Sequence, residues 1–564
     1  MTLSIGLEKE AGGQSLTLSK SGIQGNSCLP HEVLATIFIH YAHEYHSGHP
    51  GYPTRTVPMW VNVSYVCRYW RDVALNCPSL WTYVFMTSLR WTEELLARSR
   101  QASLRIRIRL VYVHDAPRWL ASLEKVMEHV ERIQLLRLEL PASNAQRILP
   151  KLDSRAPRLQ NLQIEISLRS RSLQSSSVFF NGDTPSLRSL EFSDCPVPWY
   201  SFKLGVLTTL SLHRVPALFQ QNMEMFLATL SHMQDLRYLY LDHALPSATG
   251  FLSSAAFNTF QKINLSHLSR LSVTAPLSTI IALLSCVNTP SKTEIRLKCL
   301  SQRHSSLNDY SLLPSLLAQR FIASEHQALS GLAIHSFSVD SARQSTTITF
   351  STSQRDCDFF FSISHGEWDR GIPLKINIEW VGSLTLSDRE RVINDVCCSM
   401  PLTDVQSVHL IDPPSFPAFW RQTLGTLQDL RYIKLSGGSM PDLASELSVI
   451  KQESMEGQNG PTTGGQYRGH VLAPQLEELE LYQITFPLTG FDSSRPELAI
   501  TRHNLIDALS TRQGPQGRLT MTRCKIGASD GFDMVLLWGD GDVRVVSEND
   551  SDSDTPQEDL PGDD

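Results

Sequence analysis

The chain has 564 residues, of which 41% are hydrophobic and 19% charged, and it contains ten cysteines. This composition is globular, so disorder over the whole length is excluded, and the sparse cysteines favour a reducing compartment over a disulfide scaffold. The segment 547–564 carries eight acidic side chains and no Lys or Arg, and removing them from the net charge of −7 leaves +1 for residues 1–546. A nearly neutral body argues against a nucleic-acid partner.

The two ends of the chain differ from its body. Residues 1–27 are rich in Gly and Ser without apolar periodicity, which predicts a disordered leader, and residues 547–564 predict an acidic disordered tail. We expect no signal peptide, because a basic start followed by an apolar core is missing. No apolar run is long enough for a transmembrane helix, so we expect a cytoplasmic or nuclear protein with no membrane partner.

The first folded unit is predicted to begin at Leu29-Pro30, because proline is favoured in the first turn of a helix. Residues 46–58 contain several Gly and Pro and predict a loop. The apolar run Met59–Ala74 then predicts a second helix with one buried face. The first helix is predicted to run to about His43, because apolar side chains recur at the spacing i, i+3, i+4: Val33, Leu34, Ile37 and Phe38.

Two segments of this unit carry a specific pattern. The first is Leu29-Pro30-x-Glu32-Val33-Leu34-x-x-Ile37-Phe38. The second is Val66-Cys67-Arg68-x-Trp70-Arg71-Asp72-Val73-Ala74, preceded by Trp60 and followed by Asn76-Cys77-Pro78-Ser79-Leu80-Trp81. Residues 28–86 therefore resemble the F-box, and the ending resembles that of fungal F-box proteins. The loop between the two segments is longer than the usual connection in the family.

The resemblance implies a three-helix domain that docks on the Skp-type adaptor of a cullin ubiquitin ligase. Physical reasoning agrees, because a unit of about 50 residues cannot bury two apolar stripes alone and would present the excess to a partner helix. The alternative is a helical cap on a repeat array. By resemblance, the adaptor-binding residues would be Leu29, Pro30, Val33, Ile37, Phe38, Val66, Cys67 and Trp70.

From about residue 100 the pattern Leu-x-x-Leu-x-Leu recurs, the first six copies at intervals of 20 to 32 residues, with helix-like stretches between several copies and two later copies further along the chain. This predicts an α/β fold in which the helical domain is followed, over 87–546, by an irregular leucine-rich-repeat solenoid, or horseshoe. The copies are Leu135/Leu138/Leu140, Leu159/Leu162/Ile164, Leu187/Leu190/Phe192, Leu207/Leu210/Leu212, Leu236/Leu239/Leu241, Leu268/Leu271/Val273, Leu430/Ile433/Leu435 and Leu476/Leu479/Leu481.

The array is interrupted in its middle. Three strands of a meander are predicted at Thr346–Phe350, Phe359–Ile363 and Leu374–Trp380, then a helix at Ser387–Met400, and residues 451–470 predict an internal loop. In each repeat the residue between the last two apolar positions points away from the core. These positions are the candidate substrate-binding residues Glu139, Gln163, Glu191, Tyr240, Lys434 and Glu480, with Ser211 and Ser272 in the same row.

Other constellations carry less information. The strictly alternating segment Leu104–Leu110 predicts a strand with three outward arginines, interpreted as the solvated face of an edge strand rather than an anion site. No catalytic motif is present, so we expect neither catalytic residues nor a cofactor. Several histidines resemble a metal tract, but helical spacing spreads them around the helix and no metal site is expected: His31, His40, His43, His46 and His49.

The sequence thus predicts a non-catalytic substrate receptor. Its F-box would dock on a Skp-type adaptor and a cullin scaffold, and its solenoid would bind a protein substrate whose identity is not encoded in these patterns. The alternative is a leucine-rich-repeat interaction scaffold with no role in ubiquitin transfer.

Overall fold

The structure is a computed structural model of the whole chain. Its described residues are 29–48, 57–84, 88–110, 116–167, 179–216, 220–248, 261–301, 307–322, 333–342, 344–352, 372–380, 384–412, 417–437, 473–486, 509, 516–526, 531–539 and 542–550. The predicted leader, the strand Phe359–Ile363 and the loop 451–470 lie outside these residues. Among the described residues, no helix is both long and apolar enough to cross a membrane.

The elements alternate between helix and strand over most of the chain. The helices are α1 His31–Gly48, α2 Arg68–Leu75, α3 Leu89–Arg98, α4 Ala116–Met127, α5 Ala142–Ile148, α6 Met223–Ser231, α7 Leu277–Cys286, α8 Leu307–Ile322, α9 Leu386–Cys398 and α10 Pro417–Gln422. The first strands are β1 Tyr83–Val84, β2 Leu104–Arg109, β3 Ile133–Pro141, β4 Asn161–Ser167, β5 Ser189–Ser193, β6 Thr209–His213, β7 Tyr238–Asp242, β8 Ile263–Asn264, β9 Arg270–Pro276, β10 Val287–Asn288 and β11 Glu294–Leu300. The later strands are β12 Ser336–Ser341, β13 Ser345–Ser351, β14 Leu374–Glu379, β15 Ser407–Ile411, β16 Tyr432–Ser436, β17 Glu478–Tyr482, β18 Thr485–Phe486, β19 Gly517–Ile526, β20 Phe532–Gly539 and β21 Asp542–Asp550.

The N-terminal unit is helical, as expected, but its second helix is broken. A 3₁₀ helix spans Met59–Tyr65, and the α-helix begins only at Arg68. Cys67 is extended between them, and its sulfur accepts the backbone N–H of Trp70 at 3.4 Å, which caps α2. The single helix predicted over Met59–Ala74 is therefore wrong, because the continuous apolar spacing hides this cap. Helix α1 runs to Gly48, beyond the predicted end near His43.

Two tryptophans fill the centre of this unit. Trp60 and Trp81 are fully buried, and their rings lie 5.3 Å apart. The indole N–H of Trp81 donates to the carbonyl of Ala74 at 2.8 Å, so its polar atom is satisfied inside the core. A 3₁₀ helix at Pro78–Trp81 carries this ring and leads directly into β1.

Most of the described strands belong to one long sheet, and β8 and β10 form a separate parallel pair. In space, parallel pairing runs β1, β2, β3, β4, β5, β6, β7, β9, β11, β14. Beyond the antiparallel strand β13, parallel pairing resumes in the order β12, β15, β16, β17, β19. The sheet then ends with β20 and β21, which are antiparallel to their neighbours. The connecting helices and turns cover one face of this sheet in a single apolar core. The structure thus confirms a mixed α/β chain with an N-terminal helical region and a long, mostly parallel sheet.

The predicted meander interrupts the parallel order. Strand β13 is antiparallel to both β12 and β14, which are its neighbours in space. The order in space is β11, β14, β13, β12, β15. The chain therefore passes from β11 to β12, three strand positions away, and then returns through β13 to β14, beside β11. The strands predicted at Thr346–Phe350 and Leu374–Trp380 and the helix at Ser387–Met400 are confirmed, within a residue or two at each end.

The repeat pattern gives the correct buried positions in most strands. Leu162, Leu190 and Leu210 are buried, and they face one another in register across β4, β5 and β6. The first copy is wrong by two residues, because Leu136 and not Leu138 pairs with Leu162. Leu135, which the pattern selected, is only half-buried.

Two expectations about the sheet margins need correction. Strand β2 has its alternating pattern of buried Leu104, Ile106 and Ile108, but it pairs with β1 on one side and β3 on the other. It is therefore not an edge strand. At the other end, strand β21 continues to Asp550 and so includes the first four residues of the predicted acidic tail.

A close approach in the C-terminal hairpin gives a stability test. Gly517 lies opposite Trp538, and a Cβ added at Gly517 would overlap the indole ring. We expect Gly517→Ala to destabilise β19 and β20 by about 1–3 kcal/mol, because the ring cannot move without repacking. Amide hydrogen exchange of the hairpin measures this. Gly205→Ala is the control, since its Cβ would meet only one carbonyl oxygen at 4.0 Å; equal protection in both variants would contradict the prediction.

Candidate functional site

Exposed apolar side chains concentrate on the N-terminal unit. In the part of the chain that the structure describes, 17 large hydrophobic side chains are exposed, and ten of them lie between residues 29 and 75. A patch of this kind marks a binding surface, since scattered single residues would need no explanation. We call it the helical patch, and its members are Leu29, Val33, Ile37, Tyr41, Val57, Met59, Tyr65, Val66, Tyr69 and Leu75.

Helix α1 supplies one ridge of the patch through its four-residue spacing. Val33, Ile37 and Tyr41 lie on the outer side and are each about 45% exposed. One position further along, Leu34 and Phe38 lie on the inner side with Ala42, and all are buried. Residues four apart stack on one face of a helix, so α1 presents two parallel apolar ridges and buries only one.

The second helical segment supplies the opposite side of the patch. Tyr65 and Val66 are exposed at the end of the 3₁₀ helix, next to the exposed Cys67 that caps α2. The hydroxyl of Tyr69 donates to the carbonyl of Leu29 at 2.9 Å, which joins the start of α1 to α2. Both helical segments therefore contribute to the patch.

The sequence-predicted adaptor residues fall into two groups. Six are exposed, one is half-buried and one is buried. Phe38 is buried, with its ring 5.0 Å from that of half-buried Trp70, so these two support the patch from beneath. The sequence reasoning missed Tyr41, although the four-residue continuation of Val33 and Ile37 would have found it. The exposed six are Leu29, Pro30, Val33, Ile37, Val66 and Cys67.

The open face of the sheet carries the other predicted site residues. Gln163, Glu191 and Tyr240 lie in one row across β4, β5 and β7, with Ser211 of β6 between the last two. All but Ser211 are partly exposed. Strand pairing therefore assembles one continuous polar row from residues that are up to 77 positions apart in the chain.

Glu139 does not belong to this row. It pairs with Glu165, two residues beyond Gln163, and it is only 3% exposed. Its carboxylate accepts from Arg109 and, at 2.9 Å, from Arg137, so two guanidinium groups enclose it. The leucine pattern misplaces Glu139, because the first repeat begins two residues earlier than the pattern indicates and Arg137, not Glu139, pairs with Gln163.

The last two predicted residues neutralise each other. Lys434 and Glu480 lie opposite one another on β16 and β17, and their charged atoms are 3.2 Å apart. Glu480 also accepts the hydroxyl of Tyr432 at 2.5 Å. This pair contributes shape to the open face rather than net charge.

A serine, a histidine and an aspartate meet beside the polar row. Ser211 Oγ lies 2.8 Å from His213 Nε2, and His213 Nδ1 lies 3.7 Å from Asp242. The imidazole lowers the pKa of the Asp242 carboxyl. An acyl-transfer site would also need N–H donors for the developing oxyanion. Strand β6 pairs on both sides, so its own N–H groups are used within the sheet.

Thiol and metal chemistry find little support in the described residues. Burial raises the pKa of Cys299 to about 12 and that of Cys524 to about 11, which disfavours the reactive thiolate. Within these residues, no group of three or more His, Cys, Asp or Glu side chains could hold a metal ion. His46 instead stacks on Tyr83, with ring centres 4.3 Å apart, and His49 lies outside the described residues.

The helical patch coincides with a known domain. Residues 27–87 match the family model described as F-box-like. The chain contains an F-box-like domain. This confirms the resemblance predicted for residues 28–86, and the match covers about a tenth of the chain. No curated protein matches the chain.

An F-box-like domain indicates an F-box protein. Such proteins are typically adaptors of ubiquitin ligases, and their F-box domains typically bind Skp-type adaptors and are non-catalytic. The helical patch lies wholly within the matched residues, and the polar row lies wholly outside them. The two candidate surfaces therefore belong to different parts of the chain.

The polar row provides a pH-dependent test. Burial raises the pKa of the Glu191 carboxyl, and Glu165 and Glu139 add to this while His213 and Arg137 oppose it. A raised pKa favours the protonated form in the folded state, so this contribution is lost as pH rises through the folded pKa. We expect Glu191→Gln to stabilise the fold at neutral pH by up to about 1 kcal/mol.

The stabilisation should disappear when pH falls below about 4.3, the ordinary pKa of glutamic acid, because both variants are then neutral at this position. Denaturant unfolding of the two variants across pH 4–8 measures the difference. The control is Glu478→Gln, whose side chain is exposed on β17. A constant difference at every pH would contradict the prediction.

Proposed function

We propose that the chain is the substrate-recognition subunit of a Skp–cullin–F-box ubiquitin ligase. The helical patch docks on the Skp-type adaptor, the cullin scaffold joins through that adaptor, and the open face of the sheet binds a protein substrate. The observation that carries the proposal is the concentration of exposed apolar side chains on the domain that matches the F-box-like family. The chain supplies proximity rather than chemistry.

The shape of the helical patch suits a helical partner. Val33, Ile37 and Tyr41 form one ridge, and Val66 lies on the segment across from it. A partner helix can insert between such features and remove them from water, which contributes about 25 cal/mol for each Å² of apolar area buried.

The helical domain and the sheet are joined by direct contacts, which suits a substrate receptor. Helix α3 places Leu95 in the core of the helical domain and Leu96 in the core of the sheet. Strand β1 follows the helical domain directly and pairs with β2, where Arg105 donates to the hydroxyl of Tyr83 at 2.7 Å. A fixed geometry maintains a high effective concentration of substrate near the ligase.

We interpret the sheet as a degenerate leucine-rich-repeat solenoid. Parallel strands, buried leucines in register and connecting helices on one face all support this interpretation. Every cysteine of the described residues is a free thiol, which is compatible with the cytoplasm or nucleus.

A second candidate function is a repeat scaffold with no role in ubiquitin transfer. The contact of α3 with the first strands favours it, because a helical cap would make the same contact. Adaptor capture separates the two, since a cap has no reason to bind a Skp-type adaptor.

Substitution of the outer ridge tests adaptor binding. We expect Ile37→Asp to weaken binding of a Skp-type adaptor at least 30-fold, or about 2 kcal/mol, because a charge would be buried at the interface. Titration calorimetry with purified adaptor measures this. Met225→Asp is the matched control, since Met225 is exposed on α6 outside the helical patch and should leave binding unchanged.

The substitution Phe38→Ala tests whether Phe38 supports the helical patch from the core or contacts the adaptor itself. We expect it to cost about 3–5 kcal/mol of domain stability, because Phe38 is buried in the core. It should therefore reduce adaptor binding only where circular dichroism shows unfolding. Adaptor binding that survives Ile37→Asp in a folded protein would contradict the proposed interface and favour the scaffold.

A further inference from the structure

A cavity of about 470 Å³ lies at the C-terminal end of the sheet, where β19 begins and β20 ends. Three of its lining residues are paired in register across neighbouring strands: Arg518 of β19, Leu537 of β20 and Arg544 of β21. Both arginines are exposed, and Leu537 is 45% exposed. This line, which we call the C-terminal row, presents one apolar side chain between two cations.

The positive charge of this cavity is not neutralised by its surroundings. The side chain of Arg518 has no hydrogen bond or ion pair with any described residue. Glu478 lies opposite Arg518 in register, yet the two form no ion pair. The acidic lining residue Glu477 is engaged with Arg431 at 3.1 Å. The cavity therefore has an excess of positive charge that complements an anionic segment.

The segment that follows β21 has the complementary pattern. Residues 551–564, which we call the tail segment, lie outside the described residues and contain six acidic residues and no Lys or Arg. A leucine, Leu560, lies between Asp559 and Asp563. An extended chain places these two acids about 13 Å apart, and two strand spacings place the two arginines of the row about 10 Å apart. Acid–leucine–acid thus matches cation–leucine–cation.

The tail segment is long enough to reach the C-terminal row. Strand β21 ends at Asp550, which pairs with Phe532 at the opposite end of β20. The row therefore lies six residues back along β21 at Arg544, or about 20 Å. The ten residues from Asp550 to Leu560 span up to about 33 Å. Covalent attachment also gives the segment an effective concentration of about the millimolar range near the cavity.

We propose that the tail segment folds back and docks in this cavity, with Leu560 on Leu537 and the neighbouring carboxylates on Arg518 and Arg544. The docked segment covers the C-terminal end of the open face, so an acidic ligand must displace it to reach the two arginines. That a protein substrate is the displaced competitor rests on the proposed function, while the contact itself does not.

Zero-length cross-linking of the full-length chain tests the contact. The Arg518→Lys variant keeps the positive charge and introduces an amine that a carbodiimide couples to a nearby carboxylate. We expect the tail carboxylates to couple to position 518 at least about threefold more than to Lys525, because docking raises their effective concentration there. Lys525 is exposed on β19 at the end nearer to Asp550, so a segment that does not dock would favour Lys525.

Two conditions sharpen this measurement. At 1 M salt the screening length falls to about 3 Å, so the preference for position 518 should disappear. In a mixture of isotope-labelled and unlabelled chains, mass spectrometry shows whether a cross-link joins one chain or two. Cross-links within one chain support the proposal. A preference for Lys525, or cross-links mainly between two chains, would overturn it, the latter in favour of the tail of a second copy.

A synthetic peptide of residues 551–564 tests displacement. Its binding is compared between the natural full-length chain and a full-length chain whose six tail acids are replaced by their amides. We expect at least tenfold tighter binding to the amide variant, because the natural tail segment competes for the same cavity. Titration calorimetry measures both affinities. Equal affinity for the two chains would overturn the docking.

The same peptide tests the arginine. In the amide variant, Arg518→Ala should weaken peptide binding about tenfold, because it removes a charged donor. Arg188→Ala is the matched control, since Arg188 is exposed and donates to the carbonyl of Val206 at 3.5 Å, far from β19 in the strand order. Equal loss in the control would overturn the site. Adaptor capture on the same preparations reports separately on the proposed function.

Discussion

The in-register pairing of parallel strands is the constraint on which the rest of the molecule depends. Leu162, Leu190 and Leu210 meet on the buried face of three adjacent strands, and a shift of one residue in any strand would turn its leucines into solvent. The same pairing aligns the polar row on the opposite face.

Strand pairing also connects the helical patch to the open face of the sheet. Strand β1 leaves the helical domain and enters the sheet after only two residues, from Trp81 to Tyr83. Arg98 of α3 lies over the Trp81 ring, with 4.4 Å from its guanidinium carbon to the ring centre. The helical patch is therefore oriented by contacts that continue into the sheet, rather than joined to it by a free linker.

The sequence predicts most of the buried face, because leucine spacing reports burial directly. The prediction fails where two positions of the repeat fit the sequence equally well. In β3, Leu135/Leu138/Leu140 and Ile133/Leu136/Leu138 both satisfy the repeat, and only the pairing of Leu136 with Leu162 selects the second. That choice moves Glu139 out of line with Gln163 and places it beside Glu165 on the same face, where two arginines enclose it.

The helical patch also shows what apolar spacing alone cannot predict. Spacing places Ile37 and Phe38 on one broad helical face, but it does not tell which of two adjacent ridges faces the core. Packing against Trp70 decides this, because the Phe38 ring meets it at 5.0 Å. The break at Cys67 was not visible in the apolar spacing either, since a sulfur cap carries no pattern of its own.

The inverted order of β12, β13 and β14 affects how the chain folds as it is made. Strands β1 to β7 and then β9 can pair one after another, since each joins the strand before it in the sheet, while β8 pairs with β10 outside this order. The far edge of β11 stays unpaired for longer, because its next neighbour β14 begins at Leu374, 74 residues after Leu300. At about 5–20 residues per second, synthesis leaves this sheet edge open for roughly 4–15 s. During that interval the nascent chain exposes a strand edge to its surroundings, so a chaperone acting on this protein should be needed most at mid-synthesis.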